Sequence, residues 1–155
     1  MTRTMNLQHL PKATPTNALL RRNPWLRGAS VFAVLFGLLT LKEGGTVLFG
    51  SADARSAAGA YVPFVLWFNF LAGFAYVAAG LALWRRLGWA AWLALCIGLA
   101  TALVFAAFGI HVLTGGAFEV RTVAAMALRT AVWLGIATLA LRMRPGRAAS
   151  LETTP

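Results

Sequence analysis

The chain has 155 residues, 59% of them apolar and 12% charged, with 14 Lys and Arg against 4 Asp and Glu for a formal net charge of +10. That composition excludes an ordinary soluble domain and leaves little chain to spend outside a lipid bilayer. The basic excess raises nucleic acid as a partner, so the placement of the basic residues has to decide.

Residues 1–27 form a basic amino-terminal segment in which Pro11, Pro15 and scattered polar residues break any apolar period. This predicts a mobile tail, with Pro24-Trp25 marking where the chain meets the membrane. Four apolar stretches follow, Gly28 to Phe49, Tyr61 to Trp84, Gly88 to His111 and Val120 to Leu141. Each matches the roughly 20 residues, at about 1.5 Å rise, that cross a hydrocarbon core of about 30 Å. Residues 143–155 carry Arg144-Pro145-Gly146 and end polar, predicting a second tail. With short connections between spans, no second domain fits. The expected fold is all-α, an integral membrane bundle of four transmembrane helices over residues 28–142.

Charge sets the expected orientation. Arg3, Lys12, Arg21, Arg22 and Arg27 precede the first span, Arg85 and Arg86 fill the turn between the second and third, and Arg142, Arg144 and Arg147 follow the fourth. The opposite side pairs Asp53 with Arg55 and Glu119 with Arg121. By the positive-inside rule both termini are cytoplasmic. This asymmetry accounts for the charge without nucleic acid, which is not expected as a partner. Trp25, Trp84, Trp89 and Tyr61 fall at the span edges, where amphipathic rings favour the headgroup level. Ala52-Asp53-Ala54 resembles a cleavage site, but it lies beyond Lys42-Glu43-Gly44-Gly45, too far from the run Gly28 to Leu41 for the usual signal-peptide layout. The first span is therefore expected to stay on the chain.

Small and polar residues mark the faces on which the spans should pack. Asn69, Ala72, Gly73, Tyr76 and Gly80 recur at steps of three and four in the second span. Gly37, Thr40 and Gly44 do the same in the first, and Gly98, Thr101, Phe105 and Phe108 in the third. Such stripes let helix backbones approach closely in lipid.

Ionisable groups at membrane depth call for partners. Glu43, Asn69 and Arg129 lie about six to eight residues inside the outer ends of their spans, roughly 9 to 12 Å at helical rise. A carboxylate contact to Arg129, with Asn69 adding a donor and an acceptor, would join them in one network. One reading is an ion pair that fixes helix register, the other a site for an anionic or quinone-like ligand. Lys42, on a different face from Glu43, can snorkel to headgroups, while His111 and Arg121 edge the outer loop at Thr114-Gly115-Gly116. Gly44-Gly45 loosens the helix beside Glu43, which suits either a pocket or close packing. His111 is a poor metal ligand alone, because His9 is expected on the other side, and Met126 has no soft partner nearby. Cys96 stands alone, which excludes a four-helix thiol oxidase that exchanges electrons through paired cysteines.

The segment from Arg27 through Phe36-Gly37 to Lys42, and the run Gly73-Phe74 through Gly80-Leu81 into Arg85-Arg86 and Trp89-Ala90-Ala91, resemble the DoxX-like four-helix membrane proteins. The resemblance covers about the first two thirds of the chain. It implies a multi-pass protein of a bacterial cytoplasmic (inner) membrane, tied to quinone-linked or redox-stress systems. Where that family would place an acidic residue in the middle of the second span, this chain has Asn69 and Gly73, and no catalytic residue is carried over.

Two functions are expected. One is an accessory subunit that binds a protein partner or a second copy, braced by a buried Glu43–Arg129 pair. The other is binding or transport of a small anion, proton or quinone at the outer-half cluster of Glu43, Asn69 and Arg129, with Lys42, His111 and Arg121 around it. An enzyme has the least support, since no nucleophile stands beside a base at a recognisable spacing. The sequence specifies no cofactor.

Overall fold

In a computed structural model, residues 24–143 are described. The two expected tails therefore fall, at residues 1–23 and 144–155, outside the described residues. Five helices follow in order: α1 (Pro24–Phe49), α2 (Ala52–Ala58), α3 (Pro63–Trp84), α4 (Ala90–Leu113) and α5 (Val120–Arg142). Four of them, all but α2, are long and apolar enough to cross a bilayer.

The helix bounds differ from the apolar stretches for local reasons. α1 begins at Pro24 rather than Gly28, because proline's fixed φ and missing N–H suit a first helical turn. Pro63 starts α3 in the same way, two residues after Tyr61. α4 begins at Ala90 rather than Gly88, since the chain first has to reverse. Arg86 takes φ 56°, and Leu87 N donates to Ala82 O at 2.9 Å while Arg86 N donates to Leu83 O at 3.1 Å. This is a Schellman closure built on arginine instead of the usual glycine. α4 ends in the same motif, with Gly115 at φ 86° and Gly116 N donating to His111 O at 2.9 Å.

The short helix α2 occupies a segment whose sequence reads as a loop. Ser51 caps it by accepting from Ala54 N at 3.3 Å, and Gly59 at φ 70° ends it.

The first span turns small residues to the interior and large ones outward. On α1, Ser30, Ala33, Gly37, Thr40 and Gly44 are buried, whereas Leu35, Leu38 and Leu39 are exposed. In water that arrangement would be inside out; in lipid it is the ordinary one. The chain is a multi-pass membrane protein by this distribution together with its four spans.

α1 and α3 make the closest pair. A Cβ on Gly37 would meet Gly73 O at 2.9 Å, one on Gly73 would meet Leu41 Cγ at 2.8 Å, and one on Gly80 would meet Ser30 O at 2.9 Å. Ser30 Oγ donates to Gly80 O at 2.5 Å across the same seam. α4 and α5 form the second extensive pair, with Gly98 against Leu134. α3 meets α4 less extensively, and α1 scarcely meets α5. Four antiparallel spans thus form an incomplete ring, open between first and last.

The stripes read from the sequence lie at these contacts. Ala72, Gly73, Tyr76 and Gly80 are buried on α3, and Gly98, Thr101 and Phe108 on α4, with Phe105 and Asn69 half-buried. At the centre, the Tyr76 and Trp133 rings lie 4.7 Å apart, both fully buried.

Candidate functional site

The open side of the ring holds the polar residues. Glu43 comes from α1, Asn69 from α3 and Arg129 from α5, and all three line one cavity of about 530 Å³ between α1 and α5. Antiparallel packing explains the convergence: α1 ends, α3 starts and α5 starts at the same end of the bundle. Thr40 stands one turn before Glu43 on the same wall, and Tyr61 closes the cavity near α2. Helix α2 roofs it with Ala54, Ala57 and Ala58.

The trio shares a cavity instead of a salt bridge. No ion pair joins Glu43 to Arg129 among the described residues; Glu43 is exposed, and Arg129 Nε is buried without a hydrogen-bond partner. The physical reason is where Arg129 meets α1: it reaches Phe36, seven residues or about two helical turns before Glu43. The Arg129 guanidinium instead lies over the Phe36 ring, 5.8 Å from its centroid. A cation over an aromatic face gains about 0.5 to 2 kcal/mol, less than a buried guanidinium loses on leaving water. Arg129 therefore retains a demand for an anionic or accepting group.

Behind it runs an aromatic stack. Phe32 stacks on Phe36 at 5.5 Å, Phe36 on Tyr76 at 5.8 Å, and Tyr76 lies against Trp133. Asn69 Oδ1 is a buried atom with no hydrogen-bond partner, whereas the Tyr76 hydroxyl has the Thr101 and Trp133 side chains beside it. Asn69 and Arg129 both line the cavity, and each carries a buried polar atom of the kind that is normally satisfied. Phe36 and Trp133 were not singled out from the sequence. Trp133 could have been, since it follows Arg129 by one turn and so shares its face.

The other candidates separate. Arg121 lines the cavity, but its Nη2 donates to Ala57 O at 3.1 Å and to Ala58 O, holding the last carbonyls of α2. Glu119 works beside it, Oε1 accepting from Ala60 N at 2.9 Å. The two side chains clamp the α1–α3 connection to the start of α5. His111 does not line the cavity: its Nε2 lies 3.3 Å from Ala117 O and its ring meets Phe64 edge-on. It packs onto the turn that closes its own helix. Lys42 is exposed and also outside the lining.

Among the described residues no group of three or more His, Cys, Asp or Glu could hold a metal ion. Against protein-family models, curated proteins and solved structures, the chain finds no match. The residues around the cleft are thus the ground for any functional reading.

Proposed function

We propose that the protein is a membrane-embedded binding protein whose α1–α5 cleft takes a small molecule with a polar end. One observation carries this reading: Glu43, Asn69 and Arg129, each costly at membrane depth, converge on a cavity and not on one another. A purely structural brace would be expected to close the contact, because an unpaired charge at membrane depth is costly.

The setting we propose is a bacterial cytoplasmic membrane with both termini inside. Arg27, Arg85, Arg86 and Arg142 fall at the end of the bundle remote from α2, which supports that orientation. Membership of the DoxX-like proteins is part of the same proposal and rests on the sequence resemblance of Arg27 to Lys42 and of Gly73 to Ala91.

A second reading, an accessory subunit, is favoured by the unclosed seam itself. At its other end Pro24, Trp25, Gly28, Ala29, Phe32 and Leu139 surround an apolar cavity of about 600 Å³, which could seat a helix of a partner or of a second copy.

Native mass spectrometry on protein released from membrane-derived nanodiscs separates the two. A retained small molecule, lost in a folded Glu43→Leu/Arg129→Met double variant, supports the binding reading. Protein that emerges empty and bound in stoichiometric amount to another chain overturns it in favour of the accessory role.

A further inference from the structure

The atoms left without partners in the cleft specify the ligand more narrowly than its volume does. On the α5 wall, Arg129 offers a cationic donor whose Nε has no acceptor. On the α1 and α3 walls the demand is opposite: Asn69 Oδ1 is a buried acceptor without a donor, and the exposed Glu43 carboxylate lines the same cavity. Arg121 adds positive charge to the α5 wall, although its hydrogen bonds go to Ala57 and Ala58.

Each simple ligand satisfies only part of this set. An anion serves Arg129 but is repelled by Glu43 and leaves Asn69 Oδ1 dry. A cation does the reverse. A neutral dicarbonyl ring brings acceptors alone, so it too leaves both acceptors of the cleft unanswered. A group carrying a primary ammonium and an anion a few atoms apart answers all three, through charge-assisted hydrogen bonds at each end.

We propose that the α1–α5 cleft binds a zwitterion, its ammonium against Glu43 and Asn69 Oδ1 and its phosphate or carboxylate against Arg129. The inference rests on the binding reading above and names its ligand class. Two sources share this chemistry: the head of an ethanolamine phospholipid, whose chains would run along the open seam, and a free zwitterion such as phosphoethanolamine.

The test is competition among lipids for the full chain. Detergent-solubilised protein is offered equal amounts of phosphatidylethanolamine, phosphatidylglycerol and phosphatidylcholine with identical chains, and retained lipid is read by native mass spectrometry. Phosphatidylglycerol lacks the ammonium, and the choline head cannot donate a hydrogen bond. We expect the ethanolamine lipid to exceed each of the others at least about tenfold, as loss of one charge-assisted contact implies. Glu43→Gln should abolish that preference while leaving phosphatidylglycerol binding unreduced. Asn69→Leu, a second variant at an independent position, should weaken it in the same direction. Free phosphoethanolamine that displaces the lipid identifies the soluble head as sufficient; failure to displace it assigns the lipid as ligand.

Retention of phosphatidylglycerol as strong as that of the ethanolamine lipid, or a preference unchanged in Glu43→Gln, overturns the zwitterion while leaving the cleft a binding site. Protein that retains none of these lipids, no phosphoethanolamine and no other small molecule overturns both.

Discussion

A methyl group added at Gly80 and one added at Gly135 should have opposite effects, although both glycines lie within spanning helices. At Gly80 the new Cβ would stand 2.7 Å from Val34 Cγ2 and 3.0 Å from Val34 N, so backbone must give way. Gly80→Ala should cost about 1–3 kcal/mol, the usual range for overpacking. At Gly135 nothing lies within 4 Å, and Gly135→Ala should be neutral or gain up to about 1 kcal/mol in helix propensity. Reversible unfolding in mixed micelles measures both. This contrast was half legible in the sequence. The three- and four-residue spacing of Gly73, Tyr76 and Gly80 announced a packing face, because small residues in a membrane helix have few other uses. An isolated glycine such as Gly135 carries no such pattern, and its open surroundings became visible only with its neighbours in place.

Among the elements, α2 is held by others more than by itself. Seven residues are too few for an isolated helix to persist, and none of its side chains is buried. Its hold on the bundle comes from Arg121 at the carbonyls of Ala57 and Ala58 and from Glu119 at Ala60 N. Arg121→Ala should therefore raise hydrogen exchange across residues 54–60 while leaving α3 to α5 protected; unchanged exchange there would show that Arg121 does not hold the roof. The four spans were readable because length and hydropathy settle them together. α2 was not, since its signals are a capping serine and a terminal glycine, Ser51 and Gly59, which serve loops as readily as helices. Arg121 was expected to face a ligand for the same reason: a sequence shows that a charge sits at a helix start, not which carbonyls lie opposite.

At the scale of the whole molecule, counting residues from the span ends placed Glu43, Asn69 and Arg129 on one level, and they do line one cavity. Depth along a helix follows from a fixed rise, so it can be counted. Lateral distance cannot, because it depends on which helices adjoin, and here α1 pairs with α3 while α4 pairs with α5. That pairing has a consequence for how the chain comes together. Each half is a helical hairpin whose main interface lies within itself, and the turn at Arg85 to Gly88 runs between the halves, not through either. Cutting the gene after Gly88 should thus give two fragments, each able to insert on its own, that reunite when produced together. Docking of Trp133 against Tyr76 would report the reunion by a shift in indole fluorescence from the carboxy-terminal fragment. The protein then behaves as a tethered heterodimer, with its cleft on the side where the two partners never close.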